Sequence, residues 1–238
     1  MSNRSNTSYQ KGFLPYALAA FLIGLIGGLS TVLGPAFMLD MNLAYNNTTW
    51  TALSQAISTA ACAPILGKLV DIFGRRRTLL LGIIIFTIGN VLSALAPSLI
   101  FLLLARFVVG IGTAAIAPTV MSYIVTEFPL EQIAKGFSLY MLLSSASVIF
   151  GPSIGGIILQ FGNWQTLMWI SAGLCIVFFL LCFFTHPKVH FTPQPITNFD
   201  IPGAILVIIF FSLLLCVPSF GQNFGWTSTS FLLVLLLS

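Results

Sequence analysis

Seven successive apolar runs, separated by short polar breaks, cover most of this sequence, at about 13–39, 51–70, 78–96, 99–125, 136–160, 164–184 and 201–220. Several are close to the roughly 20 residues that a helix needs to cross about 30 Å of hydrocarbon, and none is shorter than about 19. In lipid every backbone N–H and C=O must be satisfied within the protein, so such runs become helices or the strands of a closed barrel. Barrel strands alternate lipid-facing and lumen-facing residues, and a run such as LLLGIII at 79–85 does not alternate. The sequence therefore predicts an all-α integral membrane protein. An eighth apolar run starts near Thr229 and reaches only Ser238, too short to span a bilayer as a helix.

Composition agrees: with 58% hydrophobic and 6% charged residues and a mean hydropathy of +1.04, there is too little charge to cover a water-facing surface. The lipid bilayer is the expected environment. A net charge of +4 would suit a nucleic-acid partner only if the nine basic residues formed a face, and they do not. Arg4 and Lys11 precede the first run, and Lys68 with Arg75, Arg76 and Arg77 lies between the second and third. Lys135 lies between the fourth and fifth, and Lys188 between the sixth and seventh. All fall on one side of a seven-helix trace, so the positive-inside rule predicts a multi-pass plasma-membrane protein with a cytoplasmic N-terminus.

The first run is longer than a signal-peptide core and is expected to remain as a membrane helix. Cys62, Cys175, Cys182 and Cys216 lie inside apolar runs without metal-site spacing and read as small packing residues. His186 and His190 flank Pro187 in a proline-rich linker and read as solvated, so neither a metal nor another cofactor is expected. Asn46 and Asn47 each begin an N-x-T triplet in the first outer loop, a pattern common by chance. Trp164 and Trp169 fit an interfacial aromatic belt.

An offset of 88 residues lays APILGKLVDIFGRRRTL (63–79) over GPSIGGIILQFGNWQTL (151–167), matching Pro64 with Pro152, Gly67 with Gly155, Phe73 with Phe161, Gly74 with Gly162, Thr78 with Thr166 and Leu79 with Leu167. The copies are three helices apart, so they fall at opposite faces of the membrane. Two inverted three-helix repeats are a transporter architecture. The expected organisation is a tail at 1–12, a six-helix N-terminal bundle at 13–184, a cytoplasmic linker at 185–200, and at 201–238 a seventh helix with an incomplete eighth.

Three segments carry chemistry. In GKLVDIFGRRRTLL (67–80), Gly67 allows close helix approach and Gly74 a tight turn, while Asp71 can make charge-assisted contacts with Arg75 and Arg76. Arg106 is the one charged residue well inside an apolar run, where it costs about 2.5–3.5 kcal/mol on insertion scales and is expected to face the interior or a watery cavity. Gly110 and Gly112 follow it as a candidate close-packing face. In VIFGPSIGGIIL (148–159), Pro152 removes a backbone donor and Gly151, Gly155 and Gly156 smooth the helix surface, a plausible pivot.

These segments resemble motifs of the major facilitator superfamily. The 67–80 hairpin is similar to the family's GxLaDrxGrr signature, with Ile72 replacing the usual basic residue. The resemblance implies a cytoplasmic gate formed by Gly67, Asp71, Gly74, Arg75 and Arg76, which latches onto the second half of the carrier. The stretch LLLARFVVGIGTAAIAP (102–118) resembles the family's fourth helix, which implies Arg106 as a coupling residue. GPSIGG resembles the helix motif typical of antiporters. Pro35 with Trp50, FDIPGAILVIIF (199–210) and FGWTS (224–228) resemble the fourteen-helix drug:proton antiporter branch. Ile26 and Leu53 stand where that branch often places an acid.

The resemblance implies multidrug or small-molecule efflux by proton antiport, with a small-molecule substrate, protons as the coupling ion and no enzymatic activity. The alternatives are a metabolite or sugar symporter, and a half-transporter or non-functional fragment that lacks a C-terminal half. An end at Ser238 within an apolar run favours truncation.

Overall fold

The computed structural model describes residues 8–40 and 45–185, with further helical residues within 202–210. Its elements are α1 (Ser8–Thr31), α2 (Leu33–Asp40), α3 (Tyr45–Phe73), α4 (Arg75–Ala94), α5 (Leu99–Ala114), α6 (Ile116–Glu127), α7 (Ile133–Phe161) and α8 (Trp164–Thr185), with one 3-10 turn at Leu130–Gln132. No strand occurs among the described residues. Among the described residues, six helical stretches are long and apolar enough to cross a membrane: Gly12–Thr31, Thr48–Phe73, Arg75–Ala94, Leu99–Glu127, Leu130–Phe161 and Trp164–Phe184. The seventh predicted helix is described only in part, and the linker and the eighth run lie outside the described residues, as do His186, His190 and Cys216.

Two predicted single helices are broken, each three residues before a proline. The 13–39 run divides at Val32, ahead of Pro35, and the 99–125 run divides at Ala115, ahead of Pro118. Proline has no N–H, so the carbonyls of Thr31 and Ala114, four residues upstream, lose their helical donors. Side chains crowd the first break as well: Ser30 Oγ donates to the Ile26 carbonyl at 2.9 Å and Thr31 Oγ1 to the Gly28 carbonyl at 2.7 Å. Pro64 and Pro152, matched in the repeat, lie within unbroken helices α3 and α7.

The packing order shows which helix is central. Within its most apolar window 61% of the Gly12–Thr31 span is buried, against 17% for Thr48–Phe73 and for Leu130–Phe161. The helix α1 therefore runs through the middle, with α7 packed along it. The closest pairings are α1 with α7, α3 with α5, and α4 with both α5 and α8. Thus the first helix of each three-helix unit packs on the second helix of the other, the reciprocal pattern that a two-fold relation between the units would produce.

The interior has two apolar layers. Leu22, Ile26, Phe37, Phe86, Leu102 and Trp164 build one. Phe13, Tyr16, Leu79, Ile83, Val120 and Tyr123 build the other, at the end that carries the arginines. Cys175 and Cys182 are buried within these layers, and Cys62 is half-buried. Between hydrocarbon-facing helices apolar area adds little, so close packing and hydrogen bonds must hold the pairs. On α3, Ser54 Oγ donates to the Leu103 carbonyl (2.8 Å) and Ser58 Oγ to the Phe107 carbonyl (2.7 Å). Two hydroxyls one turn apart thereby tie α3 to α5.

Asn46 and Asn47 lie in the first turn of α3 rather than in a loop. Trp164 also departs from expectation: it is buried, whereas Trp169 is half exposed. The Trp164 ring meets Phe37 edge-on, with centroids 5.0 Å apart, and its indole N–H donates to Asp40 Oδ2 at 2.6 Å. A Trp N–H must find a partner when buried, and Asp40 at the end of α2 supplies it.

Candidate functional site

The break at Val32 and the small residues of α3 leave a cavity of about 910 Å³ beside Arg106. Its wall includes Ser30, Thr31 and Phe37 from α1 and α2, Thr51, Gln55 and Thr59 from α3, and Thr113 with Arg106 from α5. The volume falls within the range of small-molecule sites, and the lining mixes apolar surface with a few polar groups in the manner of such sites. Arg106 lies seven residues into the Leu99–Glu127 span, about 10 Å along the helix at 1.5 Å per residue.

Arg106 is 3% exposed. Its Nη1 donates to Ser30 Oγ and to Gln55 Oε1, both at 3.3 Å, and its Nη2 approaches the Met168 sulfur at 3.7 Å. Its guanidinium carbon lies 5.9 Å from the centre of the Phe37 ring. Every one of these partners is neutral. The acids among the described residues, Asp40, Asp71, Glu127 and Glu131, all sit at or near helix ends, and the single ion pair among the described residues is Arg75–Glu127. A buried charge is ordinarily paired. Here neutral dipoles alone hold the cation against the cavity.

Gly110 and Gly112 do not form one face. Gly110 abuts Ser58 and the Gln55 backbone of α3, whereas a Cβ on Gly112 would lie 2.5 Å from the Phe86 nitrogen of α4. Glycine on two sides of α5 lets it wedge between α3 and α4, and so fixes the helix that carries Arg106.

The GPSIGG segment divides in a similar way. A Cβ on Gly151 would stand 2.5 Å from the Gly28 Cα, and one on Gly155 would stand 2.8 Å from Val32 Cγ2. One turn earlier, Ser147 is buried against Gly24. Ser147, Gly151 and Gly155, at i, i+4 and i+8, are the stripe along which α7 packs on α1. Gly156 meets open space, and Pro152 is only half-buried beside the contact.

The hairpin residues sit at the basic end. Gly74 takes φ 86° and ψ 149°, the one positive-φ glycine among the described residues. That conformation breaks α3 from α4 and is nearly confined to glycine. Arg75 does not pair with Asp71. Its Nη2 bonds Glu127 Oε1 at 2.7 Å, its Nη1 donates to Thr126 Oγ1, and it lies over the Tyr123 ring at 5.5 Å. Arg76 donates to the Phe183 carbonyl at 3.1 Å and lies over that ring, a cation at the carbonyl end of α8. The two arginines therefore staple α4 to α6 and α8, while Asp71 and Arg77 are exposed. A Cβ on Gly67 would make only ordinary contact with Pro118 at 3.7 Å, so within this bundle Gly67 is not needed for close approach.

Sequence reading did not single out Ser30, Gln55, Phe37 or Glu127. The signal for the first two was their polarity inside apolar runs. Nothing local marked Glu127 as the partner of a residue 52 positions away.

The family model of the Major Facilitator Superfamily matches residues 16–238. Multidrug resistance protein Stp of Mycobacterium tuberculosis (strain CDC 1551 / Oshkosh) is 26% identical over 221 residues, which is 92% of this chain and 40% of that protein. Multidrug resistance protein 3 of Bacillus subtilis (strain 168) is 30% identical over 188 residues, 78% of this chain and 36% of that one. The chain thus spans about two fifths of the length of these curated relatives. Among solved structures, a bacterial homologue of the human lysosomal transporter Spinster, inward-facing and unoccupied, superposes with a TM-score of 0.66 at 18% identity, over 93% of this chain and 57% of that one.

Proposed function

We propose, since this chain belongs to the major facilitator superfamily, that it forms the N-terminal bundle of a proton-coupled exporter of drugs or other small molecules. The observation that carries this reading is the cavity of about 910 Å³ set against a buried, acid-free Arg106. A largely apolar hollow with a few polar groups in a membrane bundle, walled by a broken helix, is the kind of place where transporters bind their cargo. The likeness to multidrug resistance proteins supports export. In this reading the arginine-bearing end is cytoplasmic in the plasma membrane, and the exposed Asp71 meets a second bundle that closes the cavity.

The α1–α7 contact supplies the moving part. Gly28 and Gly151 bring the two backbones together without interlocking side chains, so α7 can shift along α1 with little repacking. Arg106 acts as the coupling group through its electrostatic field, because no carboxylate lines the cavity among the described residues.

Expression of the full-length gene in an efflux-deficient bacterium tests this function. Lower accumulation of at least one dye from a panel of cationic, neutral and anionic dyes is expected, with the difference abolished when an uncoupler collapses the proton gradient. Accumulation equal to that of the empty vector across a panel of cationic, neutral and anionic dyes would overturn the reading. Asp71→Asn is expected to abolish export while leaving membrane insertion unchanged.

A further inference from the structure

The polarity of the cavity groups selects a class of ligand. The hydroxyl hydrogens of Ser30, Thr51 and Thr59 are spent on backbone carbonyls, those of Ile26 (2.9 Å), Thr48 (2.7 Å) and Gln55 (2.8 Å) respectively. What such hydroxyls leave for a guest is oxygen lone pairs. Arg106 supplies the opposite pole. Its two Nη1 hydrogen bonds are long at 3.3 Å, its acceptors are uncharged, and no carboxylate neutralises it among the described residues. Around these groups the wall is apolar, with Phe37 and Leu33 on one side and Ala52, Ala56 and Ala60 on the other.

From this arrangement we infer that the cavity binds an amphiphilic organic monoanion, its carboxylate on Arg106, its apolar body against Phe37 and the alanines, and its hydrogen-bond donors on the α3 hydroxyls. This rests on the transporter reading above and narrows its substrate class. A guanidinium donates in a planar fork that matches a carboxylate, and charge-assisted hydrogen bonds in a water-poor site are stronger than neutral ones. A cationic drug would meet the opposite field: it would sit beside a positive charge with no acid among the described residues to offset either.

The test uses the full-length protein as its gene encodes it, purified into lipid nanodiscs, with radiolabelled salicylate as the anionic probe and tetraphenylphosphonium as the cationic one. Wild type is expected to bind salicylate in preference to tetraphenylphosphonium. Arg106→Gln should weaken salicylate by about tenfold or more, the loss of a hydrogen bond to a charged group, while Arg106→Lys should retain part of the affinity. Gln55→Glu provides an independent check should the arginine variants fold poorly. It replaces a neutral partner 3.3 Å from Arg106 with a carboxylate, and is expected to abolish salicylate binding and raise that of tetraphenylphosphonium. Preference of wild type for tetraphenylphosphonium, absence of salicylate binding, or salicylate affinity unchanged in both Arg106→Gln and Gln55→Glu would each overturn the inference. Efflux of cationic, neutral and anionic dyes by the same protein separates the two failures: efflux of any dye with cation preference in binding leaves the transporter standing and removes the anion site, whereas salicylate binding without efflux of any dye removes the transporter and leaves the site.

Discussion

Gly151 and Gly156 stand five residues apart on α7 and carry different loads. A methyl group on Gly151 would strike the Gly28 backbone, where no side chain can move aside, while one on Gly156 would enter open space. Gly151→Ala is therefore expected to destabilise the bundle by about 1–3 kcal/mol, the usual cost of overpacking. Gly156→Ala should stay within about 0.5 kcal/mol of wild type. Denaturation midpoints in mild detergent read both, and equal midpoints would count against the α1–α7 contact. Gly74→Ala tests the hairpin in the same way. A residue with a Cβ held near φ 86° and ψ 149° costs about 1–3 kcal/mol, so its midpoint should fall although the site lies outside both apolar layers. All three glycines stand out in the sequence, yet Gly156 ranks there with Gly151 because a sequence motif does not record which side of a helix has a neighbour.

At the scale of elements, pairs of helices are joined by polar contacts more specific than apolar area. The Ser58 hydroxyl bridges α3 to the Phe107 carbonyl of α5, so Ser58→Ala is expected to cost about 0.6 kcal/mol, the mean for hydrogen bonds between membrane helices. A loss several times larger would mean that Ser58 also governs the approach of Gly110. The Arg75–Glu127 pair is partly exposed, at 16% and 25% for the two side chains. A double-mutant cycle on Arg75→Gln and Glu127→Gln should return a coupling of about 0.2–1 kcal/mol. That coupling should shrink between low and high salt, and independence of salt would argue for a buried pair. By sequence alone Arg75 is expected to lean on Asp71, four residues back. In the structure the helix break at Gly74 turns the arginine toward α6 instead.

For the whole molecule, the orientation expected from the basic loops can be checked by cysteine labelling in a cysteine-free background. A cysteine at Ser98 should react with an impermeant maleimide added outside intact cells, and one at Arg77 should react only after the membrane is opened. The reverse pattern would overturn a cytoplasmic N-terminus. Apolar runs of about twenty residues forced helices, because lipid offers no other partner to the backbone, and the hairpin, the buried arginine and the GPSIGG helix were legible as residue patterns. Through these the sequence by itself determined the all-α membrane class, the approximate positions of six apolar spans, and the family. The tertiary structure alone decided which glycines touch a backbone, that Trp164 turns inward to Asp40, that Glu127 holds Arg75, and that Arg106 faces a cavity of neutral dipoles. Each of those depends on residues tens of positions apart meeting across helices, and the apolar periodicity of a single helix carries no record of its neighbours.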